Sequence, residues 1–189
     1  MKQFFQKIKI PMMVLWSVLI AASVLLDQIS KLIVVKTLPL YDSVILINGI
    51  FSFTHIQNRG AAWGMFSENR WIFLTATAIA IVILPIVLYK YRNLHVLFGI
   101  SMSMIIGGAI GNMIDRVFLG YVVDFLEFTF IDFPVFNIAD VCIVVGTFMM
   151  AAYILFFDKT LFVDNKKTSE TVKEEKDTQT DVGTHNENL

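Results

Sequence analysis

The sequence predicts an all-α membrane protein: four transmembrane helices, a small outer-face β-sheet or hairpin region, and both termini on the cytoplasmic side. Its composition, its long apolar segments and the placement of lysine and arginine around them predict this. Of 189 residues, 56% are hydrophobic and 16% charged, whereas an average soluble chain has about 45–50% apolar and about 25% charged residues. The net charge is -1, and acidic residues and lysines crowd the end of the chain while long internal runs carry neither. No global charge argument for a nucleic-acid partner survives that distribution.

The first apolar segment, PMMVLWSVLIAASVLL, starts at Pro11 and falls short of the ~20 residues that cross a ~30 Å hydrocarbon core, so the span is expected to continue to about residue 35. That extension carries Asp27 and Lys31 to membrane depth. It also argues against a cleavable signal peptide, since the segment runs on through a charged helical turn without an A-x-A-like exit. Further spans are expected at about 71–89, 96–118 and 138–157, the last beginning just before Asp140. Together they form one membrane domain over residues 1–157. The remainder, 158–189, ends in KKTSETVKEEKDTQTDVGTHNENL (166–189), which has no apolar period and no aromatic residue, and this predicts a disordered cytoplasmic tail.

Orientation follows from the basic residues. Lys2, Lys7 and Lys9 precede the first span, Lys90 and Arg92 join the second to the third, and Lys159, Lys166 and Lys167 follow the fourth. By the positive-inside rule those loops face the cytoplasm, and the two longer connections, with Asp124, face outward. In the first of these, an outer β region is expected over about 43–66. Strands near 43–47 and 50–57 flank Asn48-Gly49, a dipeptide that favours a type I′ hairpin turn. The NRGAAWG stretch supplies small residues for close backbone approach, with Trp63 as an interfacial anchor.

An ionisable group at membrane depth costs at least ~2.5 kcal/mol, so each needs a partner or a function. Glu127 and Asp132 lie in the outer connection and are expected to be solvated. Asp27 and Lys31, spaced i, i+4, fit a salt bridge within one helix better than chemistry. Asn112, Asp115 and Arg116 share one face near the outer end of the third span, where a self-satisfied network and a binding surface are equally good readings. Gly107 and Gly111 make a small-xxx-small face for helix packing.

Asp124 follows the third span after a short glycine-containing turn, and Asp140 opens the fourth, so a compact bundle brings both to one rim. Two carboxylates drawn together in a partly dehydrated site share a proton. One can then activate water while the other protonates a carbonyl, as peptide hydrolysis requires. A proton relay or an ion site remains open on spacing alone, as in a proton-coupled transporter, although the acidic pair lies at a rim rather than the midplane and the halves show no inverted repeat. A scaffold without activity leaves the pair unexplained. His55, His95 and His185 fall on different sides of the membrane and assemble no metal cluster. Ser30 and Lys31 point apart on a helix, and the single cysteine, Cys142, lies in an apolar run as a small hydrophobe.

DQISK (27–31), NRGAAWG (58–64), GGAIGNMIDRVFLGYVVDF (107–125) and FNIAD (136–140), in this order on predicted spans, resemble the lipoprotein signal peptidases, or signal peptidase II. The resemblance covers the chain from about Pro11 to Phe157. It implies a bacterial inner-membrane, multi-pass aspartyl protease with its active site toward the outer face, needing no metal and no organic cofactor. Its partners would be membrane lipid and a diacylglyceryl-modified prolipoprotein, whose signal peptide it cuts off just before the lipidated cysteine. It would work without nucleic acid and as a monomer. Carried over by position, Asp124 and Asp140 match the family's catalytic dyad, and Asn58, Asn112, Arg116 and Asn137 match residues lining the site. Asp27, Lys31, Gly60 and Asp115 match further motif positions with a mainly structural role.

Overall fold

The computed structural model describes residues 11–60 and 70–157. Its elements run in the order α1 (Met12–Thr37), β1 (Ser43–Ile47), β2 (Phe51–Asn58), α2 (Arg70–Lys90), α3 (Val96–Phe118), β3 (Val122–Phe128) and α4 (Ile138–Phe156). The chain divides into two compact units, residues 1–151 and 152–189. Of the second, only residues 152–157 are described, as the end of α4 and the residue after it. Trp63, the basic residues of the N-terminus and the tail predicted to be disordered lie outside the described residues.

Three of the described helices, α1, α3 and α4, are long and apolar enough to cross a membrane. α1 has 26 residues, which at ~1.5 Å per residue reach about 39 Å and exceed the hydrocarbon thickness. Asp27 and Lys31 are therefore part of the helix itself. α2 forms where the second span is expected, and its apolar portion within Leu74–Lys90 is shorter. α3 is the central helix, since 61% of its apolar window is buried against 17% in both α1 and α4. Its His95 cap accepts a hydrogen bond from the Leu97 N–H through Nδ1 at 3.2 Å. Leu25, Leu26, Ile29 and Phe148 point outward from the flanking helices, as apolar side chains do toward lipid.

The glycine face expected on the third span packs α3 against α1. A Cβ at Gly107 would lie 2.6 Å from Ser23 Cβ, and one at Gly111 would lie 2.6 Å from Asp27 Oδ2. Neither distance admits a side chain, so these two residues set how closely the helices approach.

Three strands form one antiparallel sheet in the order β1-β2-β3. The hairpin is where the sequence places it, with a different turn. The Ile50 N–H donates to Ile47 O, and among the residues at its apex only Gly49 has positive φ, at 70°. A type I′ turn needs positive φ at both central residues, so Asn48 departs from the expected geometry, and a register shift between Ile45 and Ile47 absorbs the difference. The third strand was not expected. VVDFLEF reads as a connection because it carries two charges and lacks clean alternation, yet residues 122–126 are all buried. A strand covered on both faces loses the period of two by which strands are read.

Val34 and Leu38 at the end of α1 pack with Phe125 and Leu126 of β3, with Phe51, Phe53, Phe136 and Ile138 around them. This cluster joins the sheet to the helices. Within it, the Phe125 and Leu126 N–H groups donate to Phe136 O, and the Phe136 N–H returns a bond to Leu126 O. The segment after β3 thus folds back on the strand and delivers the start of α4 to its side.

Candidate functional site

That return places Asn137 and Asp140 beside Asp124. Asn137 is the N-cap of α4: its Oδ1 accepts from the Asp140 N–H at 3.0 Å, while Asp140 Oδ2 accepts from the Asn137 N–H at 3.1 Å. The pairing is a capping box built with asparagine and aspartate. It fixes one oxygen of Asp140 and leaves the other to accept from Asn112 Nδ2 at 2.8 Å.

Asp124 is 2% exposed. Its backbone pairs with Ile56 of β2, so Asn58, two residues along, projects from the same face of the sheet. Asn58 Nδ2 donates to Asp124 Oδ2 at 2.8 Å, and Asn137 Nδ2 donates to Asp124 Oδ1 at 2.6 Å. Asn58 Oδ1 also accepts from the Gly60 N–H at 2.9 Å, which ties the residues after β2 to the site. Asn137 therefore touches both carboxylates, one through its side-chain amide and the other through its cap.

Behind the carboxylates lies a buried ionic cluster. Lys31 Nζ lies 2.8 Å from Asp27 Oδ2, 3.0 Å from Asp115 Oδ2 and 3.0 Å from Asn112 Oδ1. Asp27, Lys31 and Asp115 are 0%, 3% and 3% exposed, and at that depth each charge has to be met by specific bonds. Asp27 Oδ1 accepts from the Ala139 N–H at 2.9 Å, and Asp115 Oδ2 from the Val123 N–H at 3.0 Å. Gln28 Nε2 donates within 3.1 Å to Asp27 Oδ2, Asp115 Oδ1 and Gly111 O. The cluster thereby pins α4 and β3, the two elements that carry Asp140 and Asp124, to α1 and α3.

An open cleft of about 260 Å³ ends on these groups and is lined by Asn58, Gly60, Asn112, Arg116, Val122, Asp124, Asp140 and the residues from Phe133 to Phe136. An apolar recess bounded by Phe128, Val141, Val144 and Val145 adjoins it at Phe133, Phe136 and Asp140. Burial, and then the neighbouring Asp140 charge, push the Asp124 carboxyl up to about 7 against the opposing bonds from Asn58 and Asn137. Near neutral pH, Asp124 is thus poised to hold or release a proton.

All ten candidate residues of the sequence fall in one region, and Asp27 and Lys31 form the expected salt bridge, but one expected face serves two ends. The face of Asn112, Asp115 and Arg116 is divided: Asn112 and Arg116 line the cleft, whereas Asp115 turns to Lys31. Asp132 is exposed as expected, but Glu127 is half-buried in β3 and accepts a hydrogen bond from Thr54. Three partners of the ionic cluster were not foreseen, the Val123 N–H on Asp115 among them. Gln28 stands inside a quoted motif without a charge to mark it, and Ala139 contributes a backbone N–H that no side-chain pattern reveals.

A model of the family described as signal peptidase (SPase) II matches residues 19–156. The chain is 43% identical to the lipoprotein signal peptidase of Clostridioides difficile over 133 residues, 70% of this chain and 89% of that protein. It is 40% identical to the lipoprotein signal peptidase of Brevibacillus brevis over 154 residues, 81% of this chain and 99% of that protein. A solved structure described as a bacterial membrane enzyme by the in meso method is similar at a TM-score of 0.70 and 32% identity, covering 76% of this chain and 94% of that one. These likenesses and the apolar helices make this a multi-pass membrane protein with bacterial relatives.

Proposed function

The chain belongs to the signal peptidase II family, and from that premise we propose that it is an aspartyl endopeptidase acting at the outer rim of the bacterial cytoplasmic membrane. Its four helices all span, α2 included, with both termini cytoplasmic. Its substrate is a diacylglyceryl-modified prolipoprotein, cut just before the lipidated cysteine. The carrying observation is that Asp124 and Asp140 open on the cleft, whereas Asp27 and Asp115 of the ionic cluster do not, and that one residue, Asn137, bonds to both.

The chemistry follows from the pair sharing one proton. The ionised carboxylate takes a proton from a water molecule, whose oxygen attacks the scissile carbonyl carbon. The protonated carboxyl donates to the carbonyl oxygen, giving a neutral tetrahedral diol. Return of a proton to the amide nitrogen then breaks the C–N bond and releases the signal peptide carboxylate and the new amine. Asn58, Asn112 and Asn137 hold the carboxylates without changing charge, and Arg116 at the cleft wall suits a peptide carbonyl. The apolar recess beside Asp140 suits the acyl chains of a lipidated cysteine, because it joins the polar cleft where the reacting bond would lie.

The test is cleavage of a purified diacylglyceryl-modified prolipoprotein by wild type, Asp124→Asn and Asp140→Asn in detergent with a chelator present. Cleavage before the lipidated cysteine by wild type alone supports the proposal. Cleavage that persists in either folded variant removes that residue from the dyad.

A further inference from the structure

The sequence suggests only a local salt bridge for Lys31, yet its ammonium reaches past its two carboxylates to a neutral amide. Asn112 Oδ1 receives two donors, Lys31 Nζ at 3.0 Å and Asn137 Nδ2 at 3.1 Å. With its oxygen occupied in this way, the Asn112 amide has one orientation, and its Nδ2 points at Asp140 Oδ1. Rotated by half a turn, the amide would set its NH2 against two other donors and its oxygen against a carboxylate, losing three hydrogen bonds at a buried site.

We infer that Lys31 is a positioning residue for the carboxylate pair, locking the Asn112 amide so that it presents Asp140 to the cleft, while Asn137, whose amide donates to Asn112 as well, holds Asp124. The inference rests on the proposed endopeptidase reading and deepens it. Lys31 is itself 3% exposed and absent from the cleft wall, so it acts through Asn112 rather than on substrate. Two effects of Lys31 are separable. One is orientation, carried by the bond to Asn112. The other is charge: the groups facing the pair are Asp27 and Lys31 from α1 and Asp115 and Arg116 from α3, while Asn58 of β2 is neutral.

Two variants of the full-length protein divide these effects. Lys31→Met removes the donor and takes the net charge of the Asp27, Lys31 and Asp115 trio from -1 to -2. The double variant Lys31→Met, Asp115→Asn also removes the donor but keeps the trio at -1, which spares it an uncompensated buried charge. Cleavage of diacylglyceryl-modified prolipoprotein is followed for kcat, KM and pH profile, with thermal melting as the folding control. Both variants should lose kcat on the order of 100-fold, the scale of a misplaced reacting group, with little change in KM. The alkaline limb of the profile should move upward for Lys31→Met, where a cation is lost beside carboxylates, and stay in place for the double variant. A folded double variant with wild-type kcat overturns the inference. Absence of cleavage by wild type would instead sink the endopeptidase reading on which it rests.

Discussion

Asn137 donates its side-chain amide to Asp124 at 2.6 Å while its side-chain carbonyl and backbone N–H close a cap with Asp140. One residue thus performs a structural task at the start of α4 and a chemical one between the carboxylates. Serine serves well as an N-cap but has no amide to reach Asp124. Asn137→Ala should lower stability by about 1 kcal/mol, the usual cost of a lost cap, and reduce cleavage strongly. Asn137→Ser should recover much of the melting temperature without recovering cleavage. Parallel recovery of both by serine would show that the amide bond to Asp124 is dispensable.

Gly111 sets the distance between α3 and the ionic cluster, since a Cβ there would stand 2.6 Å from Asp27 Oδ2. Gly111→Ala should destabilise by about 1–3 kcal/mol, as overpacking does, and displace Asp27 from Lys31 and from the Ala139 N–H. Melting and cleavage should fall together. Gly49→Ala offers the contrast: no atom lies within 4 Å of its added Cβ, but φ is 70°. Its cost is backbone strain of about 1 kcal/mol, confined to the hairpin.

What was legible in the sequence divides along a physical line. The helices were legible because a long apolar run has few alternatives in a membrane. The hairpin was legible through Asn48-Gly49, though not its turn type, because dihedral angles at Asn48 answer to a register shift in β1 that composition does not encode. β3 was hidden by its own burial. The approach of Asp124 to Asp140 followed from the order of spans, whereas its agent, Phe136 pairing back onto Leu126, has no sequence signal. The contact between Lys31 and Asn112, 81 residues apart, was invisible because each residue had a satisfactory local explanation: Lys31 beside Asp27, and Asn112 on a face with Asp115.

Asn58 supports the ionised form of Asp124 from β2, with Asn137 acting from the other side. Removing one donor to a carboxylate favours its protonated form. Asn58→Ala should therefore move the alkaline limb of the cleavage profile upward by about one pH unit, a shift worth ~1.4 kcal/mol. An unmoved limb in a folded variant would show that a different group governs it.

The carboxyl of Asp124, pushed up to about 7 by burial and by Asp140, has consequences for both rate and stability. The reaction needs one proton on the pair, and raising the pH through about 7 removes it, so kcat should fall by roughly tenfold per pH unit beyond that limb. The stability effect has a definite sign. The unfolded chain ionises this group near its ordinary value of 3.8, so between that value and about 7 the folded state binds the extra proton, and stability falls as pH rises across the window. The wild-type melting temperature should decline from pH 5 to pH 8, and Asp124→Asn, which cannot ionise, should flatten that decline. Melting curves of both proteins at several pH values in one detergent measure it. Equal slopes would mean that Asp124 is already ionised at pH 5, and the proton shared by the pair would then have to reside on Asp140.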